Sequence, residues 1–410
     1  MPALFLLLLA ALAAAAQPVV VKAHRLLDVQ SGRVVSPAAV VVNGATITAV
    51  NPPSLPAGAQ TIDLGDVTLL PGFIDMHVHA LLADGARYRA DLVADTPAEA
   101  VLRAAPALRK MLDAGFTTIR ELGQLNPTPD LLNVALARAT DAGWIEGPRI
   151  VASGHPISIT GGHIDPEMHA RVAPGLLRLG PEQGIADSPD EAVKAVRLQI
   201  KKGAQVIKIS ATAGVLSLEA TVGAQQMTEA EMRAVVEEAA RHHTKVAAHA
   251  HGSEGILAAV KAGVASIEHG SMLTDEIIQL MKQRGTYLVP TTHLGDTLDF
   301  SALPPPVKAK GDYVLPLARA NLSKAIRAGV KIALGTDAPL VPFGLNAREF
   351  KALVDRGLSP VDALRAGTTN AADLLGLADR GLLAPAASPT SSPSPAIRST
   401  TSAPSKRSSS

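Results

Sequence analysis

The chain reads as an α/β protein, a (β/α)8 TIM-like barrel with a small β-sandwich-like domain formed by its N-terminal strands. Three observations predict this. From residue 69 onward, eight short Val/Ile-rich runs alternate with helical stretches, the rhythm of a wound α/β fold. Polar residues recur at the carboxyl ends of those runs, where barrel enzymes place their chemistry. Before residue 69 the runs follow one another with only turn residues between them, which predicts hairpins.

Taken in order, residues 1–16 are a short apolar stretch ending in small residues, which predicts a cleaved signal peptide and export to a periplasm or the exterior. The stretch lacks a basic start, so an uncleaved anchor is the competing reading. Residues 17–68 form the small β domain, with Pro-Val-Val-Val-Lys-Ala, Ala-Val-Val-Val-Asn-Gly and Ala-Thr-Ile-Thr-Ala-Val as its strands. Residues 69–385 make the barrel. Its expected strands are 69–79, Phe116–Leu122, Arg149–Ser153, Val206–Ser210, Lys245–His251, Ser266–Gly270, Tyr287–Thr292 and Ile332–Asp337. Thr228–His243 and Thr274–Arg284 have apolar residues at three- and four-residue spacing behind a Thr cap, so they are predicted helices. Gly154–Pro189 is too long for an ordinary barrel connection and is expected to overhang the site. Residues 386–410 are a Ser/Pro/Thr-rich tail that cannot supply a core and is expected to be disordered.

Composition narrows the function. The 410 residues carry a net charge of +1 and 2% aromatics, which argues against a nucleic-acid partner. There is no cysteine, so disulfides, thiolate nucleophiles and Cys-based zinc sites are excluded together. Any metal is held by nitrogen and oxygen. No Gly-x-Gly-x-x-Gly follows a strand to suggest a dinucleotide. The oligomeric state stays open, a homo-oligomer included.

The site candidates stand at strand ends. His77 and His79 are two apart in Leu-Leu-Pro-Gly-Phe-Ile-Asp-Met-His-Val-His, so both imidazoles can face one ion. Lys208 lies inside the apolar run Val-Ile-Lys-Ile-Ser, where an ammonium is costly unless paired or chemically altered. His249 and His251 end Ala-Ala-His-Ala-His-Gly, His269 ends Ser-Ile-Glu-His, and Asp337 ends Gly-Thr-Asp. Each alone has an ordinary structural explanation, a core histidine, an ion pair or a helix cap. Together, at five strands of one predicted barrel, they point to a metal site.

These motifs, in this order, resemble the amidohydrolase superfamily, and within it the imidazolonepropionase-like branch of Xaa-Pro and Xaa-Arg/Lys dipeptidases and ochratoxin-degrading amidohydrolases. The resemblance covers about residues 18–385. It implies two divalent ions, zinc by first choice on a histidine-rich shell, with Mn²⁺ or Co²⁺ also fitting. His77, His79 and Asp337 would hold one ion, His249 and His269 the second, and carboxylated Lys208 would bridge them, its carbamate turning a buried cation into an anion with two oxygens. Asp337 would also move the proton. His163, in Ile-Thr-Gly-Gly-His, and His293, in Val-Pro-Thr-Thr-His, are expected as catalytic or substrate-facing residues, and His251 as a ligand neighbour or substrate contact.

Tyr88, beside Arg87 and Arg89, is a further substrate-binding candidate. Arg120 and Glu121 are expected to pair with each other, His155 and His169 to be loop residues, and His242 and His243 to sit at a helix end. The implied reaction is hydrolysis of the amide bond of an N-acyl amino acid or dipeptide, ochratoxin A among the candidates. The alternatives are opening of a cyclic amide, as in imidazolonepropionase, or a catalytically silent metal-binding protein. Family members continue past Ala-Asp-Arg-Gly-x-Leu-Ala-Pro with Gly-Lys and strands that complete the small domain. Here Ser/Pro/Thr-rich sequence follows instead, as a reading-frame change would produce.

Overall fold

The computed structural model describes residues 17–82, 88–169 and 177–385. The expected signal peptide (1–16), Arg87 and the tail (386–410) lie outside the described residues. The chain divides into two compact units. Of the described residues, one unit holds 17–28, Arg33–Leu70 and 383–385, and the other holds Val29–Gly32 and the rest of Pro71–Leu382.

The first unit is all β: β1 (Val19–Ala23), β2 (Arg25–Asp28), β3 (Arg33–Val35), β4 (Ala38–Asn43), β5 (Thr46–Val50), β6 (Gln60–Asp63) and β7 (Thr68–Leu69). Two sheets form, with orders β5-β4-β1-β6 and β3-β2-β7. The Asn43-Gly44 turn joins β4 and β5 as an antiparallel hairpin. β1 runs antiparallel to β4 and parallel to β6, and Val20, Val21, Val40 and Val41 of the central strands are buried.

The second unit alternates strand and helix. It runs through β8 (Phe73–Val78), α1 (Tyr88–Ala94), α2 (Pro97–Asp113), β9 (Phe116–Glu121), α3 (Leu132–Asp141), β10 (Arg149–Ala152), α4 (Pro189–Lys202), β11 (Ile207–Ser210) and α5 (Glu229–Arg241). It continues through β12 (Val246–Ala250), α6 (Ser253–Ala262), β13 (Ser266–His269), α7 (Asp275–Arg284), β14 (Tyr287–Val289), the short α8 (Leu294–Thr297), α9 (Pro305–Ala328), α10 (Arg348–Asp355), α11 (Pro360–Ala366) and α12 (Thr369–Leu375). The helix starts carry local reasons. Thr228 and Glu231 form a reciprocal capping box on α5, and the Thr274 hydroxyl accepts from Ile277 N at the start of α7. Among the described residues no helix is long and apolar enough to cross a membrane.

β8, β9 and β10 form one parallel sheet and β11 to β14 another. Isolated parallel bridges at Ile157–Ile209, Leu288–Ile332 and Val78–Ala338 connect their edges. The eighth expected strand, Ile332–Asp337, does not form as a continuous element. It is held by single bonds, Met76 N to Leu334 O (2.8 Å), Asp337 N to His77 O (2.8 Å) and His79 N to Ala338 O (2.7 Å). The segment runs so close to its neighbours that a Cβ on Gly335 would lie 2.4 Å from Val289 Cγ1 and 2.9 Å from His77 Cβ. Left-handed backbone at Asp337 (φ 61°) then ends any regular pairing. Between strands and helices sits an apolar core including Ile119, Ile150, Ile209, Met232, Val235, Ile267 and Leu288. Each such side chain stabilises the fold by about 1.5–3 kcal/mol.

Candidate metal centre

Strand register brings the expected ligands together. His249 is paired in register with Ser210 and with Glu268, so the inward faces of β11, β12 and β13 present Lys208, His249 and Glu268. Strict alternation would then turn His269 outward. Instead His269 has φ 69°, and this left-handed residue at the end of β13 returns its ring to the same side as Glu268. Asp337 uses the same device.

His79, Lys208, His249, His251, His269 and Asp337 all line one cavity with about 740 Å³ of space free of atoms. His163, His169, Tyr88 and the apolar Leu82, Val215, Leu216 and Leu294 complete its wall. One nitrogen from each of His249, His251 and His269 falls within 4.8 Å of the others, and so do ligand atoms of His77, His269 and Asp337. Asp337 Oδ1 is 3.4 Å from His77 Nε2 and 3.5 Å from His79 Nε2.

The ring nitrogens facing away are occupied. His77 Nδ1 meets Glu268 Oε2 at 2.9 Å and His79 Nδ1 meets the Gly123 carbonyl at 3.0 Å. A carboxylate and a carbonyl only accept, so both rings carry their proton on Nδ1 and leave the Nε2 lone pair toward the cavity. Nδ1 of His163, His251 and His269 meets Ser217 (2.6 Å), Ser271 (2.8 Å) and Thr291 (2.8 Å). His249 Nε2 is buried with no hydrogen-bond partner. A buried orphan nitrogen is costly, and coordination of a cation would satisfy it. Imidazole nitrogens with one carboxylate suit zinc. The residues present therefore fit divalent metal ions.

Burial sets the protonation states. It pushes His77, His163, His249 and His269 well below the usual histidine range, His79 down to about 4 and His251 to about 3, so the rings are neutral. Burial also lowers Lys208 and raises Asp337, each acting partly against the other's charge. A lysine with depressed basicity spends more time as the amine, the form that reacts with carbon dioxide.

Several supporting residues carried no distinct signal in the sequence. Glu268 stands beside His269 in Ser-Ile-Glu-His, yet only the fold shows both facing inward. Asp75 accepts from Thr336 Oγ1 (2.6 Å), Asn346 Nδ2 (2.8 Å) and the backbone N–H of His77 (3.1 Å), tying β8 to the segment that carries Asp337. Burial pushes Asp75 up to about 6. Glu349 accepts from the N–H groups of Thr292 (2.9 Å) and His293 (2.8 Å), fixing the turn from which Thr291 reaches His269.

Other expectations are corrected. Arg120 and Glu121 do not pair, because neighbours on a strand face opposite ways. Arg120 binds Glu268 (2.8 Å) and the Met76 carbonyl (2.7 Å), whereas Glu121 accepts from Asn133 (2.5 Å). His293 does not line the cavity, and its Nε2 lies 2.9 Å from Thr297 Oγ1. His155 lies in a loop, as expected, where it is buried and donates to the Thr128 carbonyl at 2.9 Å. His169, also in a loop as expected, is in the cavity wall. Its Nε2 donates to the His163 carbonyl (2.6 Å), so its Nδ1 accepts from the Tyr88 hydroxyl (3.3 Å). Arg89 donates to that hydroxyl and to the Leu216 carbonyl. His242 caps the C-terminus of α5 as expected.

Residues 68–387 match the Amidohydrolase family profile. This chain belongs to the amidohydrolase family. Over 323 residues it is 36% identical to the ochratoxinase of Aspergillus niger, a match covering 74% of this chain and 64% of that enzyme's length. The crystal structure of that ochratoxinase superposes with TM-score 0.78 at 31% identity, covering 90% of this chain and 87% of the other. A Xaa-Pro dipeptidase with methionine bound in its active site superposes with TM-score 0.84 at 35% identity, covering 90% and 91%. The chain thus spans less than two thirds, 64%, of the length of the curated ochratoxinase it matches.

Proposed function

We propose that this chain is a binuclear metal-dependent amidohydrolase that cleaves the amide bond of N-acyl amino acids or dipeptides. The observation that carries the reading is the convergence of His77, His79, Lys208, His249, His269 and Asp337, with outward ring nitrogens engaged and the His249 Nε2 orphaned. His77, His79 and Asp337 would hold one ion and His249 and His269 the other, with Lys208 as a bridging carbamate. His251, within reach of His249 and His269, is a third nitrogen for the second ion or a contact for substrate. The ions, when bound, supply a hydroxide near neutral pH and polarise the scissile carbonyl.

The protein's own groups do the rest. Asp337 stands where it can take a proton from the attacking water and return it to the leaving nitrogen. His163, stacked on His249 with ring centroids 4.1 Å apart, and the Tyr88–His169 pair face the same cavity and would orient substrate. The apolar wall of Leu82, Val215, Leu216 and Leu294 would displace water around a bound substrate and strengthen these interactions. The two parallel sheets, joined by three bridges, are read as a (β/α)8 barrel, and the N-terminal unit as a sandwich-like β domain. Export by the N-terminal 1–16 segment belongs to the same proposal.

The test is hydrolysis by the purified, metal-loaded chain of dipeptides, N-acyl amino acids including ochratoxin A, and cyclic amides, with and without chelator, products identified by mass. Chelator-sensitive cleavage of linear amides is expected. Cleavage of cyclic amides alone would transfer the assignment to the imidazolonepropionase type, and no turnover to a silent binder.

A further inference from the structure

One side chain of β9, Glu121, bears on His79 from two directions. The His79 ring meets the Gly123 carbonyl through Nδ1 at 3.0 Å, and the N–H of that same glycine donates to Glu121 Oε2 at 3.2 Å. Gly123 is thus held by Glu121 and in turn holds the ring. Ala80, the residue after His79, turns its own N–H toward the same carboxylate. Only a glycine suits the link: Gly123 has φ 128°, and a Cβ there would lie 2.4 Å from Pro156 Cγ.

The carboxylate is itself anchored. Asn133 Nδ2, on α3, donates to Glu121 Oε2 at 2.5 Å and to the Gly154 carbonyl at 3.0 Å. The Gln124 N–H reaches the same carbonyl at 3.2 Å and closes the turn that carries Gly123. A helix and the end of β10 therefore fix Glu121, which does not line the cavity.

A charge here is costly. Glu121 is wholly buried, and its Oε1 has no hydrogen-bond partner. Burial pushes the carboxyl up to about 7, against the Asn133 amide and the N–H groups of Gly123 and Ala80, which favour the anion. A neutral acceptor would satisfy those donors at a smaller desolvation cost. What the anion adds is grip, since charge-assisted bonds are about twice as strong as neutral ones.

We infer that Glu121 is a positioning residue for the metal centre, which through Gly123 and Ala80 fixes His79 and with it the place of one ion. The inference rests on the metal-centre reading above. Glu121 touches neither the ion nor the cavity, so its whole effect passes through His79.

The test titrates the full metal-free chain with Co²⁺, read by visible absorption. Wild type should take up two ions, and His79→Ala identifies the one that His79 holds. Glu121→Gln should weaken that ion about 10- to 100-fold and the other less. In the His79→Ala background the same substitution should change affinity no further, because its route to the ion is gone. Asn133→Ala, which frees the carboxylate from α3, should act in the same direction and serves if Glu121→Gln does not fold. Unchanged affinity, or an equal loss in the His79→Ala background, would overturn the inference and leave Glu121 to the fold alone. If wild type takes up no ion, the metal-centre reading fails and the ring itself decides. Nitrogen-15 NMR, with His79 assigned by its loss in His79→Ala, should then show the Nδ1–H tautomer in wild type and a mixture in Glu121→Gln, and an unchanged tautomer would overturn the inference.

Discussion

Glu268 grips His77 and Arg120 at once, with Oε2 2.9 Å from His77 Nδ1 and Oε1 2.8 Å from Arg120 Nη2, and all three side chains are almost fully buried. The carboxylate sets the histidine tautomer, and the guanidinium offsets the carboxylate's charge. An outer partner of a metal-site histidine commonly governs about 10- to 100-fold in metal affinity or activity. Glu268→Gln is therefore expected to weaken metal binding by about that factor, read by competition with a chromophoric chelator. It should also lower the melting temperature, because Arg120 is left as a buried uncompensated charge, a defect of about 3–5 kcal/mol. Unchanged metal affinity would remove Glu268 from the centre.

Variants of Lys208 and Asp337 test the proposed bridging and proton-transfer roles separately. Lys208→Ala should lose nearly all activity, with partial rescue by short carboxylic acids that can occupy the gap. Asp337→Asn should keep the fold and much of the metal yet lose about 10²-fold or more in kcat. Wild-type turnover in either variant contradicts its role, and metal content by elemental analysis distinguishes lost metal from lost proton transfer.

Lys310 carries a separate prediction. It is buried in α9, and its ammonium donates to the carbonyls of Gly214 (3.0 Å), Ser217 (2.8 Å) and Glu219 (3.0 Å). That clasp fixes the loop supplying Val215 and Leu216 to the cavity and Ser217 to His163. Lys310→Met should raise KM by about tenfold, the worth of one charge-assisted hydrogen bond, with a smaller change in kcat. A change in melting temperature alone, with KM intact, would make Lys310 purely structural.

The pH dependence of stability can be tested away from the metal site. Glu238 on α5 accepts from Arg197 Nε on α4 at 2.6 Å, and this bond, with Arg241 and His242, holds its carboxyl down to about 2. A depressed carboxyl stabilises the fold above its ordinary value of 4.5 and loses that contribution as pH falls toward 2. Thermal melts should show Glu238→Gln less stable than wild type at pH 7, with the gap closing between pH 4.5 and about 2. A pH-independent gap would mean that packing, not charge, is lost.

The sequence alone determined most of the elements, though not the irregular eighth segment at 332–337, and most of the residues proposed for the candidate centre. Period-two placement put His77 and His79 on one face, strand-end motifs marked Lys208, His249, His269 and Asp337, and Thr caps marked the starts of α5 and α7, because these signals are local. Tertiary structure decided what depends on backbone turns and distant partners. Alternation allows one of Glu268 and His269 to face inward, and only the left-handed turn at His269 lets both do so. Asp75 and Glu349 look like ordinary acids until the fold brings Asn346 and Thr292 against them. His293 resembled His163 in sequence, yet Glu349 fixes its backbone and Thr297 takes its ring away from the cavity. A second cavity, beside the first, exists only where residues of α9 meet the chain that follows β14. Local periodicity is written in neighbouring residues, whereas partners more than a hundred positions apart meet only when the chain folds.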